Sequence, residues 1–224
     1  MRDYFARIFT IVWKDLVLEF RTKDIGIPIL VFAFLTMMIF NFAFAPGSVP
    51  VEAIAPGVLW VAIAFSGVLG FSRAFAVEKD KGCIEGLMLC PVEREIIYFG
   101  KMISSLIFML IAEVAILPLF SVLFNLPIFI PRLALIAFLT SIGFATVGTI
   151  FSALSANTRA REIMLPILFL PVVVPLIIAT VSGSQVALAS GPWEDYFSWL
   201  RMIIAFDLLF LVVSSLIFSF VLED

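Results

Sequence analysis

Histidine is absent from all 224 residues, which removes the commonest general base, metal ligand and haem ligand together. Ser-His triads are excluded with it. Only two cysteines occur, Cys83 and Cys90, and nothing around them resembles zinc geometry or a redox pair, so they are read as packing residues. No GxxxxGK loop ending in Ser or Thr is present, nor a Gly-rich turn from strand to helix. ATP is therefore not bound in the usual manner, and any ATPase belongs to another chain. Charge is scarce too: 14% of residues, against roughly 25% in a typical soluble domain. A net charge of −3 with no charged tail gives no sign of a nucleic-acid partner. The first twenty residues carry charges and no small-residue cleavage site, so they are expected to be mature protein and not a removable signal.

What fills the chain is apolar. Hydrophobic residues make up 63% and the mean hydropathy is +1.19. A water-facing shell cannot be built from this composition, but helices crossing ~30 Å of hydrocarbon at about 20 residues each can. Six stretches qualify, at 25–44, 54–75, 102–124, 133–154, 163–182 and 202–222. Before them, residues 1–23 place Phe5, Phe9, Val12, Leu16 and Phe20 on one helical face and Asp3, Arg7, Thr10, Lys14 and Arg21 on the other. The pattern predicts an amphipathic helix on the membrane surface, aromatic face down. The fold class is thus all-α: one transmembrane domain over 1–224, with six spans and an N-terminal interfacial helix.

Lys and Arg give the orientation. With the N-terminus inside, twelve basic residues fall inside and two, Arg132 and Arg201, outside. An odd number of spans would scramble that sorting. Both termini are expected in the cytoplasm, and Trp193, Tyr196 and Trp199 at the outer interface.

Glu113 and Asp207 fall inside predicted spans, where an ionisable group is costly and so a functional candidate. For Glu113, two readings stay open: a polar lining or proton site, and a protonated or hydrogen-bonded group between helices. The second is preferred for Asp207, six residues past Arg201 and within reach of the outer interface, and for Asn41. The fifth span carries Pro166, Pro171 and Pro175, hinge candidates that predict a bent or broken helix. Ser141, Ala145, Gly148 and Ser152 recur at i+4 in the fourth, predicting close helix approach within the subunit or across a dimer.

The cytoplasmic loop at 76–100 is the most informative segment. Ile84, Leu87 and Met88 form the apolar face of a short helix with Cys83, flanked by Glu78, Asp80 and Glu85, with Gly82 small and Pro91 opening the next helix. It is too short to span and too apolar for a solvated linker. Together these eight residues other than Cys83 are the expected docking element for an ATPase. The competing reading has the helix resting on lipid headgroups.

At this point the residues resemble the CcmB family, the permease-like subunit of the bacterial cytochrome c maturation system. Ala55, Pro56, Gly57 and Trp60 open the second span and Arg73 ends it; Gly82, Glu85, Leu87, Leu89, Pro91 and Lys101 follow; Leu165, Pro166, Pro171, Pro175 and Ala179 lie in the fifth. The resemblance covers nearly the whole chain. It implies a fold like the type 2 ABC exporter membrane domain, in the bacterial inner membrane. Two copies would work with a CcmA-like ATPase, CcmC-like and CcmD-like membrane subunits and a CcmE-like haem chaperone. ATP would act through the partner and haem would be handled by the complex, with no cofactor on this chain alone and no catalysis by it. The alternatives are an ABC permease for a lipid, drug or polysaccharide, and a proton-coupled carrier using Glu113.

Overall fold

The computed structural model describes residues 2–23, 26–44, 50–80, 93–127, 130–156, 158 and 161–221. Among these lie seven helices and no strand: α1 (Arg2–Thr22), α2 (Gly26–Ala43), α3 (Val51–Asp80), α4 (Arg94–Leu123), α5 (Pro131–Ala156), α6 (Arg161–Leu188) and α7 (Trp193–Val221). All but α1 are long and apolar enough to cross a membrane. The chain is a polytopic helical membrane protein. Most helices outrun the apolar stretches that announced them, because backbone hydrogen bonding continues into polar flanks once a helix is nucleated. Thus α3 extends to Asp80 and α4 starts at Arg94, which shortens the expected cytoplasmic loop at both ends.

Helix ends are closed by left-handed residues. Lys23, at φ 57°, sends its N–H to the Glu19 carbonyl at 2.7 Å. Asn125 and Ser190, at φ 53° and 52°, let Leu126 and Gly191 donate back to Ser121 and Val186 at 2.9 Å each. The last two are Schellman caps, which satisfy carbonyls that would otherwise be orphaned.

The core follows from where small residues permit close approach. In α3 and α5, 72% of the apolar window is buried, against 17% in α2 and 22% in α7, so α3 and α5 form the centre. At Gly148 a Cβ would collide with the Phe71 ring of α3, and Ser152 Oγ donates to the Phe71 carbonyl. The small-residue row of α5 therefore serves packing inside the subunit, with Phe71 also against Phe169 of α6. Trp60, wholly buried, donates its indole N–H to Ser184 Oγ at 2.9 Å.

Two expectations are corrected. The surface helix packs more closely on protein than the aromatic pattern suggested: Ile8, Ile11 and Val12 of α1 are buried against Ile96, Ile97, Tyr98 and Met102 of α4. Val12 thus belongs to the protein-facing side, and the face left exposed carries Phe5, Phe9, Trp13, Val17 and Phe20. Of the bent or broken helix expected for α6, the break is not found. The helix runs unbroken through Pro166, Pro171 and Pro175, the last two on its exposed side, where the carbonyls deprived of a donor do not interrupt core packing.

Candidate functional site

A polar layer lies half-way along the central helices. Gly143 is twelve residues from the start of α5, about 18 Å at 1.5 Å per residue. Two residues earlier, Ser141 Oγ donates to Glu113 Oε1 of α4 at 2.5 Å; at Gly143 itself, the absent Cβ leaves room for the Asp207 carboxylate of α7. Residues two apart on a helix point away from each other. The two carboxyl groups therefore flank α5 from different sides at one depth.

Their surroundings differ. Glu113 is 4% exposed and bonded to Ser141, the hydrogen-bonded arrangement of the two readings open for it. Asp207 is 6% exposed, and neither carboxylate oxygen has a hydrogen-bond partner among the described residues. It sits mid-helix, not at the outer interface, because α7 begins eight residues before Arg201 at Trp193. Thr140 and Thr180 share a hydrogen bond of 2.8 Å between α5 and α6. Asn41 donates to the Leu123 carbonyl at 2.8 Å, a structural bond joining α2 to the last turn of α4. Among the described residues no cluster of carboxylates and thiols converges as a metal cage requires.

A second polar site was not singled out in the sequence. Lys101 of α4, 4% exposed, donates to Asp15 of α1 at 3.0 and 3.1 Å, and Lys14 lies 3.2 Å from the same carboxylate. Sequence reasoning used Lys101 as a topology marker and as one of the residues of the family resemblance, without assigning it a partner. Its signal was present: Asp15 follows Ile8, Ile11 and Val12 on one helical face, which no solvated acid should share unless paired. Three turns earlier on α1, the Tyr4 hydroxyl has its pKa raised by burial and then by the negative charges of Glu95 and Glu93, so the first turns of α1 and α4 lie together.

At the opposite end of the bundle, Arg132 donates to the Gly191 carbonyl at 2.9 Å and stacks 3.6 Å over the Trp193 ring. Tyr196 returns a hydrogen bond to the Arg132 carbonyl at 2.9 Å. The aromatic cluster thereby ties the α4–α5 turn to the α6–α7 turn.

Of the expected docking residues, Glu78 and Asp80 lie on the last turn of α3. Gly82, Ile84, Glu85, Leu87, Met88 and Pro91 lie outside the described residues. The apolar span of α3 ends near Ser72, so the helix continues about 12 Å beyond it.

Residues 6–223 match the family model for CcmB protein. The chain belongs to the CcmB family. Among its curated relatives, heme exporter protein B of Pseudomonas aeruginosa is 26% identical over 189 residues, 84% of each chain. The Rhodobacter capsulatus protein of the same name is 28% identical over 152 residues, 66% of this chain and 69% of the relative. That of Haemophilus influenzae is 25% identical over 184 residues, 82% and 83% of the two chains. Membership in the CcmB family thus extends over all six spans.

Proposed function

We propose that the chain is the permease-like subunit of an ABC-type complex in cytochrome c biogenesis. ATP hydrolysis on a separate CcmA-like subunit would be coupled through it to haem delivery, or to release of a haem-loaded CcmE-like chaperone. The observation that carries this reading is the family match over 6–223, together with relatives named heme exporter protein B. The geometry supports it. Two helices of 30 residues, α3 and α4, flank the segment 81–92, and each is long enough to act as a rigid lever from cytoplasm to membrane core. A motor on another chain needs such a connection.

In this reading the protein sits in the bacterial inner membrane with both termini cytoplasmic, in two copies, beside CcmC-like and CcmD-like subunits. The ATPase docks on Ile84, Leu87 and Met88, with Glu78, Asp80 and Glu85 at the rim. Haem is passed by the complex, and this histidine-free chain supplies no imidazole ligand to it.

Affinity purification in mild detergent tests the class and the system together. Recovery of an ATPase with CcmC-like and CcmE-like proteins is expected; a purified chain without ATPase would overturn the reading. The second reading, a proton-coupled carrier, draws on the two carboxyl groups beside α5. It requires activity that follows the proton gradient and persists when ATP is depleted.

A further inference from the structure

A cleft of about 240 Å³ opens between the end of α1, the start of α2 and the middle of α4. Its walls are Phe20, Ile27, Leu30, Phe108, Ile111 and Ala115, with Glu19 and Lys23 at the α1 edge. Nearly all the lining surface is apolar. Two narrower spaces share Ile29 with it, one beside Phe71 and Ser105 and one reaching Glu113, but at about 20 and 10 Å³ each holds no more than a water. The cleft therefore has a closed inner end and one open side.

Its depth in the membrane follows from the helix contacts. Asn41 is bonded to the last turn of α4. Gly26 stands fifteen residues earlier, about 22 Å down α2, which in ~30 Å of hydrocarbon brings Lys23 close to the headgroup layer on the N-terminal side. The two charges at the mouth are not equivalent. Glu19 Oε1 accepts the Gly26 N–H at 2.7 Å, so it is held on the start of α2. Lys23 is exposed and makes no ion pair among the described residues, and its root is fixed by the left-handed turn and the bond to the Glu19 carbonyl. The exposed aromatic face of α1 ends at Phe20, which is itself a wall of the cleft.

We infer that this cleft is a binding site for one acyl chain of a membrane phospholipid, with the lipid phosphate on Lys23. An apolar slot of about 240 Å³, open on one side and headed by one cation near phosphate depth, suits such an amphiphile. A porphyrin fits less well, because among the described residues the lining has no His, Cys, Met or Tyr to ligate iron. The bound chain acts as a filler between α1, α2 and α4 and joins the surface helix to the lever helix. This assignment does not depend on which cargo the complex handles.

The test uses the full chain in vesicles of phosphatidylethanolamine and phosphatidylglycerol doped with a phospholipid carrying a mid-chain diazirine. Photolabelling is expected to concentrate on residues 108–115 and 26–30. Ala115→Trp, which fills the cleft from its exposed side, should abolish that labelling. Lys23→Gln should lower retention of the lipid through detergent purification about five-fold, equivalent to about 1 kcal/mol for one lysine at the membrane surface. Both variants should keep the parent's helical content and elution profile, since both side chains are exposed, whereas added lipid should raise the melting temperature of the parent more than that of either variant. Labelling spread over the exposed face of α7, and unchanged by Ala115→Trp, would overturn the site. So would stoichiometric displacement of the lipid by haemin, which would make it a porphyrin site.

Discussion

Lys101 and Asp15 are both nearly excluded from water, and each is tolerated because the other is there. Removing one partner of a buried pair leaves an uncompensated charge, at a cost of about 3 kcal/mol or more. Asp15→Ala should therefore lower thermal stability in detergent sharply. The double variant Asp15→Leu with Lys101→Met should recover much of that loss, since replacing both partners by apolar groups removes the desolvation problem. Additive losses in the double-mutant cycle would refute the pairing. The polar layer beside α5 obeys the same logic on a smaller scale. Ser141→Ala deprives the buried Glu113 of its donor and is expected to destabilise by about 1–3 kcal/mol. Glu113→Gln keeps a group that can bond to Ser141, so its effect on stability should be smaller. Cytochrome c maturation that survives Glu113→Gln and Asp207→Asn together would count against the carrier reading while leaving the permease reading intact.

Among the elements, α5 depends on glycine where α3 depends on a ring. Gly148→Leu would drive a side chain into Phe71, and overpacking a well-filled core costs typically about 1–3 kcal/mol. Loss of folded protein on size exclusion is the expected result, and a normal elution profile would show that α3 can move aside. Helix α6 poses a different question, because its three prolines weaken the hydrogen-bond ladder without ending the helix. Pro171 is on the exposed side. Pro171→Ala should restore one backbone bond without opening a cavity, so stability should hold or rise. If the weakened ladder flexes during coupling, cytochrome c maturation should fall while protein level does not; unchanged maturation would leave the prolines a packing role.

For the molecule as a whole, the decisive contact is expected beyond the membrane, where α3 and α4 lead to residues 81–92. Leu87→Asp should reduce recovery of the ATPase by placing an unpaired charge in an apolar contact, and Glu85→Arg should do so less severely through repulsion at the rim. Membrane insertion should survive both, because the segment lies outside the spans. ATPase recovery at the parental level with Leu87→Asp, normalised to the amount of permease, would refute docking there and favour contact with headgroups.

Six spans, the amphipathic α1 and the candidate carboxylates were legible in the sequence because each rests on a local quantity: the length of an apolar run, the 3.6-residue period, or an acid among apolar neighbours. The family, too, was legible from short motifs held in order, and the match over 6–223 bears it out. Helix ends were read less well, since two of the three left-handed caps, Lys23 and Ser190, are residues without the preference for that region that Asn125 has. Which face of α1 meets protein, and that Lys101 finds Asp15 across 86 residues, depended on which helix became its neighbour. The same holds for Ser141 meeting Glu113, and for Asp207 settling against Gly143 at mid-depth. Hydrophobicity alone determined that the chain would enter the membrane as six helices; the pairing of those helices decided which polar groups met, because hydrocarbon offers them no partner except one another.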